Sequence, residues 1–241
     1  MQLKTVENYQ DMSMVACSII MEKVKQLESP VLGLATGSTP EGLYKQLIEQ
    51  YKQDNVSFQN VKTFNLDEYV GLTKQNKQSY DYYMRENLFS HIDIDLANTY
   101  LPNGASADLD QECIDYEARI KQAGGIDIQV LGIGLNGHIG FNEPGTNFSS
   151  RTHIIDLAES TRTANARFFD SLEEVPEQAI TMGVDTIMDS KEILLLVSGE
   201  KKAEAVSRML EGEISEEFPA SILQKHPHVT VVGDKAALSL L

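Results

Sequence analysis

Ile126-Asp127-Ile128-Gln129-Val130-Leu131 runs straight into Gly132-Ile133-Gly134-Leu135-Asn136-Gly137-His138-Ile139-Gly140-Phe141-Asn142-Glu143-Pro144-Gly145. The apolar run, entered from a Gly124-Gly125 break, predicts a buried strand. Glycines at the end of such a strand let the backbone turn sharply and approach a ligand with no Cβ in the way. Into that frame the sequence sets an amide, an imidazole and a carboxylate: Asn136, His138 and Glu143. Gly132 to Gly137 also spells G-x-G-x-x-G, which in a dinucleotide-binding unit opens a long helix with an acidic residue about twenty positions on. Asp156 lies near that spacing, but Pro144 and Gly145 would break the helix almost as it starts. The stretch is therefore read as a catalytic loop that happens to contain three spaced glycines.

Outward from this loop, apolar strands alternate with amphipathic helices. Strands are predicted over residues 31–35, 61–66, 192–197 and 229–232, and an extended segment over 151–157. Helices are predicted over 9–27, 80–88, 109–122 and 161–169, the last carrying Arg162 and Arg167, and from the Ser198-Gly199-Glu200-Lys201-Lys202 cap to about Leu210. Between the first strand and the next helix stands Thr36-Gly37-Ser38-Thr39-Pro40-Glu41. Thr39 suits an N-cap, Pro40 the first helical position and Glu41 the positive end of the dipole. Leu43, Tyr44, Leu47, Ile48 and Tyr51 follow as one apolar face. Strands that are apolar throughout belong to a parallel sheet buried on both sides. The expected fold is a Rossmann-like α/β domain, an open, mainly parallel sheet covered by helices on both faces, with residues 1–241 forming a single domain.

Two strand ends carry chemistry. The turn at residues 36–39 offers free backbone N–H groups at a helix start, where a phosphate can bind, although an ordinary βα turn with a well-made cap would look the same. It lacks the lysine of a Walker motif, so nucleoside triphosphate hydrolysis is not supported. The strand over 61–66 delivers Asp67-Glu68-Tyr69 to the end of the sheet where open α/β folds place ligands, or else these carboxylates begin a solvated loop.

Composition narrows the partners. A formal charge of −16 over 241 residues argues against nucleic acid, which needs a basic face. No apolar core of signal-peptide length opens the chain and no apolar run could span a bilayer, so a cytoplasmic protein with no membrane partner is expected. Cys17 and Cys113 fall within predicted helices and show no metal or redox spacing. His226-Pro227-His228 lacks further ligands for a metal.

Leu34-Ala35-Thr36-Gly37-Ser38-Thr39-Pro40, then Phe64-Asn65-Leu66-Asp67-Glu68-Tyr69, then Gly132 to Pro144, in that order, resemble the glucosamine-6-phosphate deaminase family. The resemblance extends to Ser150-Arg151-Thr152, Ala166-Arg167-Phe168-Phe169-Asp170 and Ser198-Gly199-Glu200-Lys201-Lys202-Ala203, covering almost the whole chain. It implies an enzyme that hydrolyses a carbon–nitrogen bond, converting glucosamine 6-phosphate and water to fructose 6-phosphate and ammonia without a metal or organic cofactor. It implies Asp67 as the base that shuttles a proton from C2 to C1. His138 would open the sugar ring, with Asn136 and Glu143 orienting it, and Glu68 is left as a structural residue. The implied phosphate site comprises Thr36, Gly37, Ser38, Thr39, Arg167 and Lys202. Many members carry Asp where Asn136 stands, and an amide orients but cannot ionise. In the hexameric, allosteric branch a second phosphate site uses basic residues just after Ser-Arg-Thr and a longer C-terminal tail. Here His153 and Ile155 hold those positions and the chain stops at Leu241, so a monomer without that control is expected. Two rivals differ in class. A 6-phosphogluconolactonase would continue past the histidine with a Thr-Ala-Ser-Leu-Phe-Pro type of sequence, where this chain has Ile139-Gly140-Phe141-Asn142-Glu143-Pro144. A sugar-phosphate-sensing regulator would need a DNA-binding module and no catalytic context for Asp67 and His138.

Overall fold

A computed structural model describes residues 1–166, 169 and 171–241. Seven strands form one parallel sheet in the order β1 (Gln2–Val6), β10 (Val229–Asp234), β9 (Ile193–Val197), β6 (Ile128–Leu131), β2 (Val31–Leu34), β3 (Lys62–Asn65), β5 (Thr99–Tyr100). Three more, β4 (Asp67–Tyr69), β8 (Gln178–Thr181) and β7 (His153–Asp156), pair antiparallel as a small second sheet.

The two-sided burial expected of the apolar strands is present, with β2, β6 and β9 buried along their length. Alternate residues serve opposite faces. Leu32, Leu34, Ile128, Val130, Leu194 and Leu196 pack with residues of α1 (Tyr9–Gln26), α2 (Glu41–Lys52) and α3 (Tyr80–Asn87). Val31, Leu131, Ile193 and Leu195 pack with α4 (Leu109–Gln122), α6 (Val184–Met188) and α7 (Ala203–Glu211). Helices cover both faces, as the α/β pattern requires. A short α5 (Glu159–Asn165) follows β7. Asn8 caps α1 by accepting from the Gln10 and Asp11 N–H groups at 2.9 and 3.0 Å. Cys17 and Cys113 are buried free thiols in α1 and α4.

Chain order places the ligand edge. From β2 the chain steps outward to β3 and β5, then returns to the other side of β2 as β6 and continues to β9 and β10. Loops leaving β2 and β6 therefore diverge at their C-terminal ends, the topological switch point where doubly wound sheets bind ligands.

Several local features differ from the sequence expectations, among them α5, which spans Glu159–Asn165 where a helix over 161–169 is expected, with residues 167, 168 and 170 outside the described residues. β1 is an edge strand with exposed and half-buried side chains, so it lacks the apolar run that marked the others. Residues 67–69 form strand β4 rather than a loop, because Leu66 links the two sheets: its N–H donates to Leu34 O at 3.1 Å and its carbonyl accepts from Met182 N at 2.7 Å. The helix after the first turn begins at Glu41, with Pro40 at its cap position and no side-chain capping bond from Thr39.

Candidate active site

The glycine stretch forms an irregular loop with no helix after it, which removes the dinucleotide reading. Gly134 N–H donates to His138 O at 2.9 Å and Gly137 N–H to Gly134 O at 3.1 Å, folding the loop back on itself. The imidazole of His138 lies so close over Gly134 that a Cβ there would sit 2.4 Å from the ring, which explains glycine at that position. Asn142, fully buried, fastens the far side of the loop by donating to Ile139 O at 2.9 Å and Met182 O at 2.8 Å.

Asn136, His138 and Glu143 come together. Asn136 Nδ2 donates to Glu143 Oε2 at 2.6 Å, and Asn136 Oδ1 accepts from the His138 N–H at 3.3 Å. Thr161 Oγ1 donates to Glu143 Oε1 at 2.6 Å. His138 Nδ1 faces Glu143 Oε2 at 3.5 Å, too long for a hydrogen bond. Burial pushes the Glu143 carboxyl up, but His138, Thr161 and Asn136 outweigh it and hold the group down at about 2. Glu143 is thus an ionised carboxylate aimed at an imidazole, placed to orient the ring. Asparagine fits position 136 because it donates to Glu143, where a second carboxylate would need a shared proton. Thr161 had no signal in the sequence, since it lies in a helix eighteen residues beyond Glu143.

Asp67 enters from β4. It is buried, and among the described residues no group donates to its carboxylate. Burial pushes its carboxyl up to about 8, with the neighbouring Glu68 adding to the shift. Its Oδ2 lies beside the glycine loop, 3.7 Å from where a Cβ on Gly140 would stand, two residues from His138. The backbone register is fixed by pairing of Asp67 with Thr181, whose hydroxyl accepts from the Phe141 N–H at 3.2 Å. Glu68 points elsewhere: Oε1 accepts from the N–H groups of Tyr69 and Tyr80, and Oε2 from Asp81, all at 2.9 Å. One carboxylate of the pair is saturated as the N-terminal anchor of α3, and the other is open.

The remaining candidates occupy neighbouring strand ends. Thr36, Gly37 and Thr39 are half-buried and Ser38 is exposed, on the turn leaving β2 between β3 and β6. Lys202, half-buried, donates from Nζ to Ile133 O at 2.7 Å and so reaches the glycine loop, and burial lowers its pKa. Its approach is set by Asp234 at the end of β10, which accepts from the Ser198 hydroxyl and from the Gly199 N–H at 3.1 Å. Arg167 lies outside the described residues. Both ring nitrogens of His226 are engaged, Nε2 with Ser190 O at 2.8 Å and Nδ1 with the His228 N–H at 3.1 Å.

Residues 7–232 match the family model described as glucosamine-6-phosphate isomerases/6-phosphogluconolactonase. The chain is 63% identical over 238 residues to a glucosamine-6-phosphate deaminase of Oceanobacillus iheyensis, covering 99% of this chain and 95% of that one. It is 52% identical over 240 residues to glucosamine-6-phosphate deaminase 1 of Bacillus subtilis, covering 100% and 99%. Among solved structures, a monomeric glucosamine-6-phosphate deaminase superimposes with a TM-score of 0.98 at 52% identity, each chain covered in full. A 6-phosphogluconolactonase from Thermotoga maritima matches at a TM-score of 0.75 and 23% identity over 97% of this chain and 98% of that one, a likeness of fold.

Proposed function

The chain belongs to the glucosamine-6-phosphate isomerase/6-phosphogluconolactonase family, and on that footing we propose that it converts glucosamine 6-phosphate and water to fructose 6-phosphate and ammonia. The observation that carries this reading is the open, buried Asp67 carboxylate beside the loop that presents the His138–Glu143 pair. His138 moves the proton of the anomeric hydroxyl to the ring oxygen, and the ring opens to an aldehyde. Asp67 then takes the C2 proton and returns one to C1, turning the amino-aldose into a ketose imine. Water adds to the imine carbon and ammonia leaves, so the net reaction is hydrolysis of a carbon–nitrogen bond. No step calls for a metal or organic cofactor.

Thr36, Gly37, Ser38, Thr39, Arg167 and Lys202 are proposed to hold the phosphate, gathering backbone N–H groups and cations inside an acidic protein. Lys202→Ala should raise the KM for glucosamine 6-phosphate by the equivalent of about 1.5–3 kcal/mol, the usual worth of a charge-assisted contact. An unchanged KM would remove Lys202 from the site.

The reading includes a single-domain monomer without a second, activating phosphate site. The likeness of its fold to a monomeric deaminase, at a TM-score of 0.98 and 52% identity, supports this. So does the state of the segment after Ser150. Arg151 is taken up by Glu117 at 2.6 Å, Asp185 at 3.1 Å and Asp189 at 2.5 Å. The ring of His153 contacts Arg151 O at 2.8 Å, and Ile155 is aliphatic. An arginine enclosed by three carboxylates offers no net positive charge to an anion. Substrate saturation should be hyperbolic, and N-acetylglucosamine 6-phosphate should leave it so. Sigmoidal curves that become hyperbolic on adding that compound would contradict this.

Among the described residues no helix is long and apolar enough to cross a membrane, and a cytoplasmic enzyme of amino-sugar catabolism is proposed. Substrate choice tests the function. Glucosamine 6-phosphate should release ammonia, unphosphorylated glucosamine should be a poor substrate, and 6-phosphogluconolactone should not be hydrolysed above its spontaneous rate. Rapid lactone hydrolysis without ammonia release would favour the lactonase reading.

A further inference from the structure

The turn between β2 and α2 is gripped from outside by three phenol hydroxyls. Tyr44 of α2 donates to Ala35 O, and Tyr83 of α3 donates to Gly37 O at 2.7 Å. Tyr9, the first residue of α1, shares its hydroxyl proton between Ser38 O at 2.9 Å and Thr39 O at 3.1 Å, and accepts from the Gly42 N–H at 2.8 Å. In a planar trans peptide the C=O and the following N–H point in opposite directions. Holding the carbonyls of residues 35, 37 and 38 toward the tyrosines therefore turns the N–H groups of Thr36, Ser38 and Thr39 away from them. Among the described residues nothing accepts from those three N–H groups. Gly37 supplies the positive φ, 91°, that this arrangement needs.

We propose that Tyr9 and Tyr83 are positioning residues that preset the turn at residues 36–39 for the substrate's phosphate, by fixing outward the carbonyls of the peptide units whose N–H groups meet the ligand. The proposal rests on the reading of this turn as a phosphate site. An amide array set before binding pays no reorganisation cost when the anion arrives. Burial pushes the Tyr83 hydroxyl above the ordinary phenol range, with Tyr44 adding to the shift, so it stays a donor. The same helix that carries Tyr83 is anchored at its start by Glu68, next to Asp67. α3 thus spans from the proposed base to the proposed phosphate turn.

Tyr83→Phe and Tyr9→Phe test this, with Tyr82→Phe as a control on the same helix. Kinetics are read together with the affinity for inorganic phosphate by calorimetry and with thermal stability. Each of the first two variants should weaken phosphate binding and raise KM in parallel, by roughly 3- to 10-fold, with kcat held within about twofold, as expected for one lost neutral hydrogen bond. Tyr82→Phe should change neither. Wild-type phosphate affinity in both Tyr83→Phe and Tyr9→Phe would overturn the proposal. So would a fall in kcat and melting temperature with no change in phosphate affinity, which marks a purely structural role. The calorimetric arm needs no turnover. A wild-type chain that binds phosphate yet releases no ammonia would overturn the deaminase reading and leave the tyrosine result readable.

Discussion

Asp67→Asn should lower kcat by roughly 10²–10⁴-fold while the substrate still binds, the range that a positioned general base supplies. The amide keeps the shape of the side chain and loses its basicity, and no described group donates to the carboxylate that the change would orphan. Stability separates this loss from misfolding. The folded-state pKa of Asp67 is raised to about 8, against an ordinary carboxylate value near 4. A group raised in this way contributes stability that is fully present below the unfolded pKa and is lost as pH rises through the folded one. Above about pH 8 the wild-type chain buries a charge that Asp67→Asn does not, so there the variant should melt at the same or a higher temperature. The same titration should appear in the wild-type kinetics: kcat/KM should rise as pH increases through about 8, where the base becomes free to take a proton. Equal losses of binding and turnover in Asp67→Asn would count against its role at C2.

His138→Gln is expected to cost a comparable factor, roughly 10²–10⁴ in kcat, by removing the imidazole that carries the ring-opening proton. The signature is a change in which step limits the rate. In the wild type, deuterium at C2 should slow turnover because Asp67 must break that bond. With ring opening left to its spontaneous rate, the C2–H step is no longer limiting, and the isotope effect should shrink toward unity. A normal kcat, or a low kcat with the full isotope effect, would contradict the assignment. Glu143 tests the same pair from the other side, since its carboxylate, held ionised at about 2 by His138, Thr161 and Asn136, would then face no imidazole.

The layering of the fold and much of the candidate site were legible because their signals are local. Three runs, 31–34, 128–131 and 193–197, are almost wholly apolar and buried on both faces, as a covered parallel sheet requires. Gly134, Asn136, His138 and Glu143 are close enough in sequence for one loop to bring them together. What escaped depends on partners far along the chain. β1 pairs on one side only, with a strand more than two hundred residues away, and needs no apolar pattern of its own. β4 is held by β8, and Asp67-Glu68 carries no mark of that pairing. Thr161, Tyr9 and Tyr83 act through single hydroxyls, and a threonine or tyrosine on a helix reads the same whether its oxygen meets solvent or an active-site group.

The most direct test of the central claim is simultaneous measurement of ammonia and fructose 6-phosphate released from glucosamine 6-phosphate by the purified wild-type chain and by Asp67→Asn. Equal amounts of the two products are expected from the wild type, and roughly 10²–10⁴-fold less of each from a variant that still binds the substrate. Absence of ammonia from the wild type, or wild-type rates from Asp67→Asn, would contradict that claim.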